Sequence, residues 1–287
     1  MRLRTVVAAG SGLLILIGLA YAVEAPPRPW RQFQGREYGG FTIPPDYAEK
    51  TEFQFARLMY PSGGRRGGFG RRGGFGGFRG GGDWREGGGS WTTDYPRADR
   101  HMTPALRRLT RVHVRSVEQG INPDDDSDIF NYPWLYAVEV GQWDLTDEQG
   151  KKIREYLDRG GFLMVDDFHG TYEWASFMVG LQKIYPERPV VDIPDSDPIF
   201  HTIYDLTKRY QVPGAMYLSR GVTYEQDGYE PRWRGIYDEH NRLVVAICHN
   251  MDLGDSWEWA DDPAYDEKFS SLSFRIAANY VIYSMTH

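Results

Sequence analysis

The chain has 287 residues, 41% of them hydrophobic and 15% aromatic, and a formal net charge of −7. That length and apolar content suffice for one large or two small packed domains. The acidic balance excludes nonspecific nucleic-acid binding, which needs Lys and Arg to neutralise phosphates, and the single cysteine, Cys248, excludes intrachain disulfides.

Residues 1–22 have the grammar of an export signal. Arg2 and Arg4 precede a mostly apolar run from Val6 to Leu19, and Ala20-Tyr21-Ala22 fits an A-x-A cleavage site. A retained membrane tether over residues 5–23 is the competing expectation, near the lower length limit for a spanning helix. Both place the remainder outside the cytoplasm, in the periplasm or cell envelope. Residues 23–50 contain five prolines and read as an extended linker. Residues 51–287 read as a single α/β domain.

Phe53 to Tyr60 alternates as a first strand. Residues 62–90 are dominated by Gly and Arg, with Phe69, Phe75 and Phe78 interspersed, and cannot bury enough apolar surface to order themselves. A disordered insertion is expected there, a lid over Asp94 and Tyr95 being the functional alternative. A helix over 103–110 and short strands at Val112–Val114 and Trp134–Val140 follow. Thr146 opens a helix with Gln149 as its capping-box partner. Ile153, Tyr156 and Leu157 give that helix an apolar stripe, and Gly160 ends it. Phe162–Val165 is a continuous apolar run, as expected of a strand buried on both faces. A helix at 172–183 and a strand at 189–193 come next. Arg234–Tyr237 and Leu243–Cys248 pair as a hairpin, and a last helix spans about 270–284. Strands alternating with helices predict a mainly parallel sheet.

Phe55-Ala56-Arg57-Leu58-Met59-Tyr60, Trp91-Thr92-Thr93-Asp94-Tyr95-Pro96, Phe130-Asn131-Tyr132-Pro133, Gly160 to Gly170, Pro198-Ile199-Phe200-His201 and His249-Asn250-Met251-Asp252 occur in that order. In these segments, from about residue 52 to 286, the chain resembles the bacterial family named domain of unknown function 4159. The resemblance implies a flavodoxin-like three-layer sandwich related to glutamine amidotransferases. Active members of that branch carry a cysteine on a strand-to-helix elbow. Here the elbow after Val165 carries Asp166, Asp167 and Phe168, which argues against thiolate chemistry.

Ligands of open α/β sheets bind outside the carboxyl ends of the strands, where this sequence sets Asp166, Asp167 and His169. They read as metal ligands or a general base, with helix capping as the structural alternative. His249, Asn250, Asp252 and Asp255 follow the late strand, as a second half of that site or as an Asx-rich turn. Asp94, Tyr95 and Asp99 sit beside Trp91. His201 and Asp205 share a face if their segment is helical, and Trp233, Trp257 and Trp259 offer rings for stacking on a sugar.

Two functions stay open at this level. One is a non-enzymatic envelope domain whose crevice (Asp94, Tyr95, Asp166, Asp167, His169, His249, Asn250, Asp252) binds a small molecule, a saccharide, or an envelope or membrane protein. The other is a hydrolase using a divalent metal on Asp167, His169 and His249, with Asp166 or Asp252 as general base.

Overall fold

Alternation along the central strands decides the architecture. In β3 (Trp134–Val138), Trp134, Tyr136 and Val138 join one apolar cluster, while Leu135 and Ala137 join another. In β4 (Phe162–Asp166), Phe162 and Met164 divide from Leu163 and Val165 in the same way. Every residue of both strands is buried, so each face needs a helical cover.

The computed structural model describes residues 29–35, 37–38, 40–63, 82–125 and 128–287. Residues 1–22, the first part of the proline-rich segment and the centre of the Gly/Arg-rich insertion lie outside the described residues. Among those described, no helix is long and apolar enough to cross a membrane.

The seven strands run in the order β2-β1-β3-β4-β7-β6-β5, with β1 at Ala56–Leu58, β2 at Gln119–Ile121, β5 at Val191–Asp192, β6 at Arg232–Tyr237 and β7 at Leu243–His249. The five strands from β2 to β7 are parallel, β6 runs antiparallel to β7, and β5 runs antiparallel to β6. Numbered along the chain, the parallel strands follow the flavodoxin-like order 2-1-3-4-5. Helices α1 (Arg97–Leu109), α5 (Leu253–Glu258) and α6 (Glu267–Thr286) pack together over one face. Helices α2 (Asp147–Asp158) and α3 (Gly170–Ile184) cover the other, and a short α4 (Met216–Arg220) lies in the connection before the β6–β7 hairpin. The result is a three-layer α/β sandwich with a C-terminal hairpin and helix.

Several boundaries differ from the sequence expectation. The predicted strand Phe53–Tyr60 is cut to Ala56–Leu58, with Phe53 making a lone bridge to Val114, and Val112–Val114 forms no strand of its own. The true edge strand, β2, has only Gln-Gly-Ile and no pattern to announce it. Helix α1 begins at Arg97, six residues before the expected start, and runs through Pro104. An interior proline costs roughly 3 kcal/mol. Burial of Ala98, Asp99, Met102, Thr103 and Leu106 along one side offsets it. The Thr146–Gln149 capping box opens α2 as read. His201 and Asp205 share no helix. Pro198–Phe200 is a single 3-10 turn, and the exposed pair meets at 2.8 Å beyond it.

Residues 82–90, at the end of the segment expected to be disordered, are folded together with Trp91 and Thr92, which follow it. Two 3-10 turns form there, and Trp91 is fully buried with its Nε1 donating to Trp84 O at 2.8 Å. The proline-rich stretch is likewise a strap laid on the domain over its described part. Trp30 Nε1 donates to Glu118 O at 2.8 Å next to β2, and Phe33 N donates to Tyr95 OH at 3.0 Å. Phe33 meets Trp91 edge-on at 5.2 Å, and Tyr38 OH donates to Glu258.

Candidate functional site

Side-chain parity carries Asp166 out of the end of β4 on the same face as Phe162 and Met164, under α5. Its Oδ2 accepts from the backbone N–H groups of Leu253 (2.7 Å) and Gly254 (3.0 Å) and from Tyr136 OH (3.1 Å). Burial raises this carboxyl to about 7, and those donors hold it from going higher. Asp166 Oδ1 is buried with no partner.

Asp167 turns away from the strand with φ 52, and the chain enters α3 through His169, its N-cap residue. The imidazole is 3% exposed, and neither ring nitrogen makes a well-formed hydrogen bond. Nε2 stands 3.3 Å from Asp167 Oδ1. From the loop after β7, Asp252 caps α5 by accepting from Asp255 N at 2.7 Å. One ligand atom each of Asp167, His169 and Asp252 lie within 4.8 Å of one another, with all three residues buried.

More acids converge on the same place. Asp94, Asp252 and Asp255 satisfy the same distance limit, as do Glu37, Asp94 and Glu258. Burial, then the neighbouring carboxylates, drives Asp94, Asp167 and Asp252 well above the usual carboxylate range and Glu258 to about 9. Bare glycines make the approach possible. A Cβ on Gly214 would fall 2.6 Å from Asp252 Oδ2, 2.8 Å from Asp255 Oδ2 and 3.2 Å from Glu225 Oε1. On Gly254 it would strike Asp94 Oδ2 and lie 2.7 Å from Tyr136 OH. Gly254→Ala is therefore expected to cost about 1–3 kcal/mol by overpacking. Chemical denaturation checks this, and a change below about 0.5 kcal/mol would contradict the close approach.

The site differs from the expected one at three residues. His249 is not a ligand of this group. Parity along β7 sets Val245, Ile247 and His249 on the α3 face, opposite Ala246 and Cys248. Its ring packs on Phe168 (4.9 Å) and Trp174 (4.7 Å), Nε2 lies 3.2 Å from Gly170 O, and burial lowers it to about 4. Asp252 takes the place expected of it. Asn250 is a staple: Oδ1 accepts from Gly170 N at 2.9 Å and Nδ2 donates to Glu230 O at 2.7 Å. Tyr95 is core, its hydroxyl occupied by Phe33 N. Trp257 is also fully buried, between α5 and the Phe55–Tyr136 rings, and Trp233 is only 9% exposed, so neither offers a face to a sugar.

Glu37, Glu225 and Glu258 joined the site without a signal in the sequence. The first two come from connecting segments far from the motif, and Glu258 lies between Trp257 and Trp259 with nothing local to mark it as a partner of the acids. Asp94 is set in place by Arg57 of β1. Arg57 Nη1 donates to Trp91 O (3.0 Å) and Thr93 O (2.7 Å), and Nη2 donates to Asp99 Oδ1 at 2.6 Å with both side chains fully buried.

The family model described as Domain of unknown function (DUF4159) matches residues 83–285. The chain belongs to this family. No curated protein matches it. The DUF4159 match takes in Asp94, β4, His169 and helix α5 with its cap Asp252, whereas Arg57 and Glu37 precede it. Thiolate chemistry has no support in this DUF4159 chain, because Cys248 lies buried inside β7 and burial pushes its thiol well up.

Proposed function

We propose that the domain is an exported cation-dependent binding module, in which a divalent ion held by Asp167, His169 and Asp252 presents open coordination positions to a ligand. The observation that carries this reading is the buried imidazole of His169. Both of its nitrogens lack a proper hydrogen-bond partner, within ligand distance of two carboxylates. Buried polar groups are normally satisfied, and an ion would satisfy one nitrogen of this ring together with the two carboxylates. A carboxylate-dominated set with one imidazole suits a borderline ion such as Mn²⁺ or Zn²⁺ better than Ca²⁺.

Binding is favoured over hydrolysis because both candidate bases are committed. Asp166 Oδ2 accepts three hydrogen bonds, and Asp252 caps α5 while facing the ion. At the rim, the loop that brings Glu225 also carries Tyr224 and Tyr229, ring centroids 4.8 Å apart, with Tyr229 64% exposed. Those rings suit a hydroxyl-rich ligand such as a saccharide better than the buried tryptophans do. Arg2, Arg4 and the apolar run to Leu19 support export, by cleaved signal or retained anchor. The strand order also supports kinship with the amidotransferase-like branch, with an acidic elbow in place of its cysteine.

Isothermal titration of the chelator-stripped full chain with Mn²⁺ and Zn²⁺ tests the reading. Saturable binding is expected, weakened on the order of 100-fold or more in His169→Ala. Unchanged affinity in that variant would sink it.

A further inference from the structure

Asp252 belongs to two of the ligand groups at once: with Asp167 and His169 on one side, and with Asp94 and Asp255 on the other. Its Oδ1 accepts from Asp255 N at 2.7 Å, and its Oδ2 is turned toward Gly214, where Asp255 Oδ2 and Glu225 Oε1 also converge. Asp94 completes the second group. It is 1% exposed, and its Oδ2 is buried, without a hydrogen-bond partner, and aimed at the bare Cα of Gly254 beside Asp252.

Resting on the cation-binding reading above, we infer that the site is dinuclear: a second divalent cation sits on Asp94, Asp252 and Asp255, with Asp252 as the carboxylate bridging the two ions. Two considerations support it. The first is the orphaned Asp94 oxygen, which the Asp167–His169–Asp252 ion does not reach as a ligand, since Asp94 forms no part of that group. The second is charge. Asp94, Asp167, Asp252, Asp255 and Glu258 crowd one volume, while the guanidinium of Arg57, which holds the carbonyl of Thr93 beside Asp94, is committed to Asp99. One divalent ion leaves most of that negative charge uncompensated, and the desolvation of buried, unpaired carboxylates is expensive. Two ions sharing a carboxylate stand about 3.5–4 Å apart, a spacing that lets one oxyanion or alkoxide ligand bridge both. The strap adds a cover to the second ion. Glu37 Oε2 accepts from Asp94 N at 3.1 Å, and Tyr38 OH donates to Glu258, so residues N-terminal to the first strand close the pair on the α1–α5 side.

The test uses Mn²⁺ alone as probe on the chelator-stripped full chain, with equilibrium dialysis and elemental analysis for stoichiometry and electron paramagnetic resonance for coupling. Two ions per chain and an exchange-coupled spectrum are expected. Asp94→Asn should hold one ion with the spectrum of an isolated site. Asparagine tolerates the left-handed backbone at this position, φ 60, so the fold should persist. Should Asp94→Asn fail to fold, Asp255→Asn, which still accepts the Ala215 N–H through its amide oxygen, carries the same expectation. Asp252→Asn should weaken both ions, and His169→Ala should remove only the ion of the Asp167–His169–Asp252 group, leaving the spectrum of an isolated site. One ion in the wild type, unaffected by Asp94→Asn and lost in His169→Ala, overturns the pair and leaves the mononuclear reading standing. No ion in the wild type, or one ion that survives His169→Ala, overturns both. Two ions retained in Asp94→Asn and Asp255→Asn place the second elsewhere and also overturn the pair.

Discussion

Arg57→Ala should destabilise the domain by about 3–5 kcal/mol, the usual cost of removing one partner from a buried ion pair. The guanidinium is fully buried, reaches Asp99 through Nε (3.2 and 3.1 Å) and Nη2 (2.6 Å), and stacks over the Tyr136 ring at 5.2 Å. Truncation leaves Asp99, already raised to about 6 by burial in spite of Arg57, without its counter-charge. It also releases the carbonyls of Trp91 and Thr93, so Asp94 should lose its fixed position and cation affinity should fall with stability. The double substitution Arg57→Met/Asp99→Leu, which removes both charges, should cost less than Arg57→Ala alone. Urea denaturation of the wild type and the two variants decides the matter. A loss below about 1 kcal/mol for Arg57→Ala would falsify the assigned role.

The second large effect is on pH dependence. Asp94, Asp167 and Asp252 lie well above the usual carboxylate range, Asp166 near 7 and Glu258 near 9, all chiefly through burial. Without metal, the native state binds more protons than the unfolded chain from about pH 4 upward, so stability falls as pH rises through those folded values. For Asp166 alone, a rise from 3.8 to about 7 corresponds to roughly 4 kcal/mol. His249, lowered from 6.5 to about 4, acts in the opposite sense and removes stability as pH falls through that window. The carboxylates outnumber it. The chelator-treated protein should therefore melt on the order of 10 °C lower at pH 9 than at pH 5. Saturating Mn²⁺ should abolish most of that decline, since the ions replace the protons. A melting temperature that is flat or rises with pH in the stripped protein contradicts the picture.

The residues differ in how openly the sequence announced them. β4 and the acids at its end were legible because Gly160-Gly161, four apolar residues and a polar turn leave little else that the segment can be. The order of helices and strands, and hence the sandwich, followed from the same local grammar. His249 departs from the expected set because convergence of strand ends does not fix the face a side chain takes, and Cys248 and His249 must point to opposite faces. The start of α1 was hidden by Pro104, since an ion pair with a residue 42 positions earlier holds the first turns. Glu37 and Glu225 were invisible for a different reason. Neither belongs to a periodic element, and only the tertiary path of the strap and of the loop before β6 brings them to the acids. Local patterns therefore predict where a strand delivers its side chains, and long-range closure of a site leaves no such trace.

Both margins of the sheet are blunted. On one side β5 offers two residues, caught between Pro189 and Pro194, with Arg234 reaching Asp192 at 3.2 Å. On the other, the Trp30–Phe33 stretch lies against β2 and its approach. A sheet so edged gives a foreign strand little ladder to extend. Any association of this domain, with itself or with a neighbour, is thereby steered to its helical faces or to the rim of tyrosines, and runaway stacking of copies through backbone pairing is disfavoured from the outset.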